Sequence, residues 1–210
     1  MNTKRAMCPA CLRPQTGCIC RWRVPVESAV ELLILQHPME VANAKGSARL
    51  LHLCLPNSRL ETGEQFGEAP LAEWLSGERR AVLLYPETPG DASLGIPAAP
   101  PLDSGWLAAP EKLLLVVLDA TWRKSRKMLY LNPALQRLPR LALQATPPSH
   151  YLIRKAHAPD QLSTLEACAW ALAQLEHAPQ RYDALIAAFD GFVAQQQAQA
   201  ASGAARQPSA

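Results

Sequence analysis

Short apolar runs alternate along most of the chain with segments that are apolar on one side only. Four runs have the length of a β-strand: residues 29–35, 81–85, 113–118 and, more weakly, 140–143. Four segments have apolar positions spaced as on one face of a helix: residues 43–55, 121–131, Thr164–Leu175 and 182–197. Strands that alternate with helices favour an α/β fold with a mostly parallel sheet.

The segments between and beyond these elements predict how the chain is divided. Residues 87–110 are rich in proline and glycine, which predicts a surface loop. Residues 195–210 contain mainly Ala, Gln, Ser and Gly, which predicts a disordered tail. We therefore expect a cysteine-rich knuckle at 1–24, a main domain at 25–194 and the tail at 195–210.

Length and composition narrow the class of protein. With 210 residues, 49% of them hydrophobic, the chain can bury one sizeable core. No apolar run approaches the ~20 residues of a membrane-spanning helix, so no membrane contact is expected. Cys8 follows soon after Lys4 and Arg5, where a secretory signal would place an apolar stretch. We expect a cytoplasmic protein.

The charges are unevenly distributed, although their sum is only +3. Residues 1–23 and 120–159 contain thirteen Lys and Arg side chains but no Asp or Glu. Ordinary surfaces mix both signs, so two acid-free windows favour two positive surfaces over charges scattered on solvated faces. A polyanion, and nucleic acid in particular, is the expected partner.

Four of the six cysteines lie within thirteen residues, at Cys8, Cys11, Cys18 and Cys20. In a reducing cytosol such a cluster predicts a metal site rather than disulfides, and four thiolates suit tetrahedral zinc. The Cys18-x-Cys20 spacing is tighter than usual for zinc. With all four positions filled by protein, the zinc would be structural. The neighbouring Arg21 and Arg23 would then lie on a basic knob that contacts RNA.

The strongest chemical signal is the corner where the run 113–118 meets Asp119-Ala120-Thr121-Trp122 and a helix begins. Ligands of α/β sheets gather beyond the carboxyl ends of strands, and Asp119 is expected there. Thr121 is placed to cap the helix. The alternative is that Asp119 only caps this helix and Trp122 belongs to the core.

These residues carry a family resemblance. Asp119-x-Thr121-Trp122 resembles the signature of the DTW domain. Further segments that resemble those of the family occur before and after it, in the order they have in the family, over roughly residues 8–190. They are the N-terminal cysteines, His37-Pro38-Met39-Glu40, the stretch 45–50 with Arg49, Ser149-x-Tyr151, Ile153-Arg154-Lys155-Ala156-His157 and Ser163-Thr164-Leu165-Glu166.

The resemblance implies a SPOUT-like, knotted α/β domain with a mostly parallel sheet and an N-terminal zinc-binding knuckle. It implies a tRNA-uridine aminocarboxypropyltransferase, which moves the 3-amino-3-carboxypropyl group of S-adenosylmethionine to uridine N3 and releases methylthioadenosine. The chain indeed has no G-x-G-x-x-G loop and no P-loop, which other nucleotide-binding folds use. A homodimer is compatible with the resemblance, because SPOUT-like enzymes often pair.

Site residues follow from the motif and the resemblance together. The expected catalytic residues are Asp119, Thr121 and Trp122. Asp119 is either the base that takes the N3 proton or the carboxylate that holds the cofactor's ammonium. The expected cofactor-binding residues are Leu118, Asp119, His37, Glu40, Arg49, Ser58, Arg154, Thr164 and Glu166. The expected RNA-binding residues are Arg123, Lys124, Arg126, Lys127, Lys155, Arg21 and Arg23.

Several of these side chains have plainer alternatives. Arg49 or Arg154 would grip the cofactor's carboxylate, and Glu40 or Glu166 its ammonium, but each is equally compatible with a surface ion or a helix cap. Two other functions remain open at this point. One is a SPOUT-like RNA methyltransferase with the same cofactor, and the other is a non-catalytic zinc-knuckle RNA-binding protein.

Overall fold

The structure is a computed structural model that describes residues 6–88, 91–144, 148–149 and 162–204. Within this part of the chain five strands form one sheet: β1 (Glu31–Gln36), β2 (Ser58–Thr62), β3 (Arg80–Leu84), β4 (Leu113–Asp119) and β5 (Arg140–Leu141). The strand order is β2-β1-β4-β3-β5, and every pairing is parallel. The α/β class and the parallel sheet predicted from the sequence are therefore confirmed.

Seven α-helices connect and flank these strands in the described residues. They are α1 (Pro38–Val41), α2 (Ala48–Cys54), α3 (Glu68–Leu75), α4 (Trp122–Leu131), α5 (Pro133–Gln136), α6 (Thr164–Leu175) and α7 (Asp183–Ala204). Short 3-10 turns complete the connections. In the described part of the chain, no helix combines the length and the apolar character that crossing a bilayer requires.

The alternation of side chains along the strands builds two hydrophobic layers. Leu32 and Ile34 of β1 face the cluster that contains α2, α6 and α7. Leu33 and Leu35 face the other cluster, which contains α3, α4 and α5. Successive strand residues point to opposite faces, so one strand supplies both layers. β4 is buried along its whole length, as expected for the centre of a three-layer α/β/α sandwich.

The apolar runs predicted the buried strands to within two residues, but β2 was missed. Its sequence Ser-Arg-Leu-Glu-Thr has no apolar run, and none of its residues is fully buried. β2 lies at the edge of the sheet, where only one partner strand, β1, hydrogen-bonds to it. Edge strands of this kind carry little hydrophobic signal.

The last helix extends beyond the predicted start of the disordered tail. It continues from Asp183 to Ala204, and Gln195 is only 8% exposed. The Gln195 side chain accepts a hydrogen bond from Trp22 Nε1 (2.7 Å) and donates one to the Cys18 carbonyl (3.1 Å). Residues 195–204 of the predicted tail therefore form a helix, which the Gln195 side chain anchors to the N-terminal segment, and residues 205–210 lie outside the described part of the chain.

The cysteine-rich segment shares the core of the main domain. Cys8, Cys11 and Ile19 belong to the same hydrophobic cluster as α6 and α7. The Trp22 ring lies so close to Gly191 of α7 that a Cβ there would come within 2.3 Å of it. Glycine at this position lets the tryptophan pack directly on the helix backbone.

Candidate active site and metal centre

The sheet reverses its winding direction between β1 and β4. After β1 the chain passes to α2 on one face of the sheet, whereas after β4 it passes to α4 on the opposite face. A crevice opens where the connections of two neighbouring parallel strands diverge, and ligands of α/β proteins bind there. The parallel register places Gln36 beside Asp119 at the two carboxyl ends that border this crevice.

Asp119 is buried and held on both sides. It is 6% exposed, its Oδ2 accepts a hydrogen bond from Gln36 Nε2 (2.9 Å), and its Oδ1 accepts one from Thr164 Oγ1 (2.6 Å). Thr164 is the first residue of α6, whose N-terminus carries a partial positive charge. The carboxylate is thus fixed in one orientation at the predicted edge of the sheet.

The start of α6 is itself rigid. Ser163 and Glu166 form a reciprocal capping box, in which the Ser163 hydroxyl accepts from the Glu166 N–H and Glu166 accepts from the Ser163 N–H. Ser149 also donates to the Glu166 carboxylate at 2.9 and 3.0 Å. Of the two roles open to Glu166, the helix cap is the one that the structure contains. Cys168, one turn further on, is a buried core residue, and burial together with the charge of Asp119 raises the pKa of its thiol.

A narrow cleft adjoins Asp119. Its volume is about 20 Å³, and its lining includes Asp119, Glu40, Lys45, Ser163 and Thr164. A space of this size admits one water-sized group, whereas sites that enclose a whole small-molecule ligand measure ~300–1,000 Å³. The described residues around Asp119 therefore suit the tip of a ligand rather than an entire nucleoside.

The other two motif residues lie at the beginning of α4. Thr121 is the N-cap residue of the helix, as predicted, but its side chain makes no capping hydrogen bond. Trp122 is 50% exposed and packs edge-on against Tyr85 of the segment after β3, with ring centroids 5.7 Å apart. Trp122 is therefore not a core residue, and it offers an aromatic surface beside the sheet edge.

His37 and Glu40 follow β1 and are both buried. The Nδ1 atom of His37 accepts from the Met39 N–H (3.2 Å), so Nε2 carries the proton that points to Glu64 Oε1 (3.0 Å). Glu40 is 6% exposed and pairs with Lys124 Nζ (2.8 Å) and Asn43 Nδ2 (2.7 Å). Glu40 thus lines the cleft with a partly neutralised carboxylate, and His37 fixes the turn that carries it.

Acids from distant segments neutralise much of the basic helix that follows the motif. Lys124 pairs with Glu40, Arg126 with Asp91 (3.4 Å) and Lys127 with Glu64 (2.8 Å). Lys127 and His37 together hold the pKa of Glu64 below its usual range. Arg123 is exposed and has no ion pair to another described residue. Although the window 120–159 contains no acid, acids from other segments therefore neutralise three of the four cations of α4.

Asp91 is the centre of a buried charge cluster. One of its oxygens contacts Arg126 and the other contacts Arg140 Nη1 at 2.9 Å. The Arg140 side chain is 7% exposed and lies over the Tyr85 ring, 5.4 Å from its centroid. The Nη2 atom of Arg140 and the Nε atom of Arg126 are buried without a hydrogen-bond partner. The Asp91 carboxylate is therefore the shared ion-pair partner of two arginines.

Five expected cofactor residues of the described chain do not line the cleft: His37 and Glu166, whose contacts are given above, and Ser58, Arg49 and Leu118. Ser58 begins β2 and lies at the amino edge of the sheet, four residues of strand away from the register of Gln36 and Asp119, and its hydroxyl caps turns around His52 and Leu55. Arg49 lies half-buried on α2, where burial lowers the pKa of its guanidinium. The Leu118 side chain belongs to the hydrophobic cluster with α3 to α5. Arg154 and Lys155 lie outside the described residues.

Gln36 is a site residue that the sequence did not reveal. A single glutamine at the end of a strand has no distinctive pattern, and its contact with Asp119 depends on a non-local strand pairing. Its Oε1 atom is buried without a hydrogen-bond partner among the described residues.

The four clustered cysteines converge within the N-terminal segment. Their sulfur atoms all lie within 4.8 Å of one another, with Cys8–Cys20 at 3.6 Å and Cys11–Cys18 at 3.8 Å. Four thiolates at ~2.3 Å from a zinc ion form a tetrahedron with sulfur–sulfur edges of ~3.8 Å. The cluster therefore has the donor set and dimensions of a metal site, and the Cys18-x-Cys20 pair fits it despite its tight spacing.

Backbone groups prepare one of these thiols for a metal. The N–H groups of Cys11 and Ala10 lower the pKa of Cys8 to about 6, whereas burial raises the pKa of Cys20 to about 12. Metal ligands must be thiolates, so the N–H groups that favour the Cys8 thiolate also favour metal binding.

Comparison with known proteins places this geometry in a family. The family model described as the DTW domain matches residues 5–197. Proteins named tRNA-uridine aminocarboxypropyltransferase 2 are similar to the chain. The one from Mus musculus is 32% identical over 181 residues, which are 82% of this chain and 57% of the relative. The one from Drosophila melanogaster is 31% identical over 191 residues, which are 87% of this chain and 72% of the relative.

A third relative of that name, from Macaca fascicularis, is 29% identical over 180 residues, which are 82% of this chain and 57% of the relative. The chain thus spans just over half the length of these mammalian relatives. No solved structure matches it significantly. Because the family model covers nearly the whole chain and the motif Asp119-x-Thr121-Trp122 lies at the switch point of the sheet, the chain belongs to the DTW domain family.

Proposed function

We propose that this protein transfers the 3-amino-3-carboxypropyl group of S-adenosylmethionine to N3 of a uridine in tRNA and releases methylthioadenosine. The observation that carries the proposal is a buried, doubly anchored Asp119 at the mouth of a cleft sized for one small polar group. The names of the similar proteins support the coarser part of the proposal, transfer of an aminocarboxypropyl group to a uridine of tRNA.

Asp119 suits a positioning role better than a proton-accepting role. Both of its oxygens already accept a hydrogen bond, and the cleft that it borders contains a second carboxylate, Glu40. The cleft is lined by two carboxylates (Asp119, Glu40), three hydroxyls (Ser47, Ser163, Thr164) and one cation (Lys45). Acceptors therefore outnumber the single cation, which suits an ammonium group that needs acceptors on several sides. We propose that Asp119 and Glu40 hold the amino group of the cofactor there, while the adenosyl part lies outside the cleft.

Fixing the amino-acid end of the cofactor determines which carbon reacts. When bound, S-adenosylmethionine would supply an electrophilic γ-carbon next to a sulfonium. The transfer would form the bond from N3 to this carbon, break the carbon–sulfur bond with its electron pair leaving on the sulfur of methylthioadenosine, and release the N3 proton to solvent. Trp122 offers an exposed aromatic face against which a base can stack beside the cleft. Holding both reactants in line is the main contribution that such a rigid site makes.

The cations of α4 then have two roles, one in structure and one in RNA binding. Lys124 and Lys127 tie α4 to the turns that follow β1 and β2, which keeps the crevice in shape. Arg123, exposed one residue after Trp122, is the α4 cation that we propose for a phosphate of the bound RNA.

The proposal includes a SPOUT-like, knotted arrangement of the domain and a structural zinc ion. The parallel sheet with β4 between β1 and β3 is compatible with the first, whose support is the family resemblance. The sulfur–sulfur distances support the second. Zinc on Cys8, Cys11, Cys18 and Cys20 would hold the N-terminal segment against α7 and would take no part in the transfer.

Product analysis tests the reaction directly. Purified protein, unmodified tRNA and S-adenosylmethionine should yield methylthioadenosine and a tRNA nucleoside heavier by one aminocarboxypropyl group. Release of S-adenosylhomocysteine would instead identify a methyltransferase. RNA binding without either product would identify a non-catalytic binding module.

Metal removal tests the cysteine site without relying on activity. The purified protein should contain about one zinc ion per chain, and Cys11→Ser should lose it and lower Tm by roughly 5–10 °C, because the binding free energy of a structural zinc contributes to folding. Cys54→Ala is the matched control: Cys54 is a fully buried cysteine outside the cluster, and its variant should keep the metal. Equal metal content in both variants would contradict the assignment.

A further inference from the structure

We infer that a second, larger groove, bounded by the cysteine-rich segment and α7, binds the tRNA backbone next to the reactive nucleotide. The identification of its ligand rests on the proposed function. The groove has a volume of about 1060 Å³ and is open along one side. A site for a single metabolite encloses most of its ligand, so a groove that is open along one side suits an extended polymer better than a small molecule.

The lining of the groove is free of acidic side chains among the described residues. It contains Arg13 and Arg21 together with the amides of Gln15, Asn43, Gln195 and Gln199. Most protein surfaces mix both charges, as the opposite edge of this molecule does: the cleft around Arg79 and Lys112 also contains Glu31, Glu73, Glu78 and Glu111. A cationic groove lined with amides is complementary to phosphates and to ribose hydroxyls.

The cations of the groove are held in place rather than loose. Arg13 donates to the carbonyls of Ala44 (2.6 Å) and Gly46 (2.8 Å), and its guanidinium lies over the Phe192 ring. Arg21 is exposed and stacks on Trp22 with its guanidinium 4.6 Å from the ring centroid. The Trp22 ring does not neutralise the charge of Arg21. An arginine stacked in this way keeps its hydrogen-bond donors free for a phosphate.

Two glutamine amides of α7 are also held in place by hydrogen bonds. Gln195 and Gln199, one helical turn apart, anchor the cysteine-rich segment through the Cys18 and Thr16 carbonyls. The Gln196 Nε2 atom, which lies between them along the helix and also lines the groove, is buried without a hydrogen-bond partner. An unused donor in a polar groove is what an oxygen-rich ligand would satisfy.

The groove leads to the reactive corner. Asn43 lines both the groove and the small cleft at Asp119, and residues 43–46 form the wall between them. Arg13 fixes this wall from the groove side through Ala44 and Gly46. Only residues 43–46 would therefore separate an RNA strand in the groove from the site where the base reacts. This surface is distinct from α4, whose cations are mostly paired with acids.

Charge placed in the groove tests the inference. Arg21→Glu reverses an exposed charge, and Ala198→Glu adds a negative charge on the groove side of α7 without removing any hydrogen bond. We expect each to raise the tRNA Kd and KM by about tenfold, and Arg21→Glu to lower the slope of log Kd against log salt by about 1. Binding of S-adenosylmethionine and kcat at saturating tRNA should remain near wild type. Because Arg21→Glu can disturb its stack on Trp22, Tm is measured for every variant and Ala198→Glu serves as the second probe.

Matched controls lie elsewhere on the surface. Lys112→Glu reverses an exposed charge at the amino edge of the sheet, and Ala72→Glu adds a charge to exposed α3. Both should bind tRNA like the wild type. Folded groove variants with unchanged tRNA Kd and KM would overturn the inference while leaving the transferase assignment intact. If the wild type binds tRNA through this groove but forms no aminocarboxypropyl product, the proposed function fails and the groove stands.

Discussion

Asp119→Asn is expected to reduce kcat/KM for aminocarboxypropyl transfer by about 10²- to 10³-fold, the effect of removing one partner from a buried charge pair. The substitution keeps the shape of the side chain but removes its charge. It also turns one carboxylate oxygen into an amide that must face either the Gln36 amide or the Thr164 hydroxyl, both of which donate to Asp119. The ammonium of the cofactor would then lose its strongest acceptor.

The kinetic pattern separates the two roles open to this residue. If Asp119 holds the ammonium, KM for S-adenosylmethionine rises as kcat falls, and an analogue without the amino group discriminates little between wild type and variant. A base would instead lower kcat alone and abolish an ascending limb of the pH profile. Thr164→Val, which removes one of the two anchors, should cost about tenfold.

The control for Asp119→Asn is the same substitution at an aspartate outside the cleft, where it should not affect turnover. Asp103 caps an exposed turn through the Gly105 N–H and does not line the cleft at Asp119, so Asp103→Asn should leave turnover unchanged. RNA binding should persist in Asp119→Asn. Turnover of Asp119→Asn within twofold of wild type would remove Asp119 from the proposed mechanism.

The strand-and-motif corner was predictable because its signal is local. β4 is a continuous apolar run, and its end coincides with a polar motif and the start of a helix, so the position of Asp119 follows from neighbours in sequence. The capping box of Ser163 and Glu166 is local in the same sense. In both cases the residues that determine the geometry lie within a few positions of one another.

Long-range pairing hid the rest of the site. Gln36 reaches Asp119 only because β4 is inserted beside β1, across 83 positions of sequence. Glu40, Glu64 and Asp91 neutralise α4 from three separate segments, so a window without acids did not become a surface without acids. The helix beyond residue 195 is ordered by contacts to Trp22 and Cys18, which no property of the tail itself encodes.

Asp91→Ala is expected to lower the free energy of unfolding by about 3–5 kcal/mol, because it leaves a buried charge uncompensated. Asp91 is the shared partner of Arg140, whose side chain is 7% exposed, and of Arg126, whose side chain is 31% exposed. The loss of the Arg140 contact should dominate, since that pair is both shorter and more buried. In a chain of this size the change corresponds to a fall in Tm of about 6–20 °C.

Substitutions of charged residues with different burial test whether an uncompensated charge causes the loss of stability in Asp91→Ala. Arg126→Ala should cost about 1 kcal/mol, given its long contact and partial exposure. Glu61→Gln, which breaks the exposed pair with Arg59, should cost less than about 1 kcal/mol. Replacing all three charged residues with apolar ones of similar volume, as in Asp91→Leu with Arg126→Met and Arg140→Met, should recover most of the lost stability.

Urea unfolding followed by circular dichroism provides the measurement. The Pro-rich segment after β3 is anchored by Asp91 through backbone contacts as well, since the Leu94 and Ile96 N–H groups donate to the Asp91 carbonyl and Ile96 is buried. Asp91→Ala keeps these backbone contacts, so its effect isolates the side chain. A loss below about 1 kcal/mol, equal to that of Glu61→Gln, would show that the two arginines find other compensation and that the cluster does not hold this segment to the sheet.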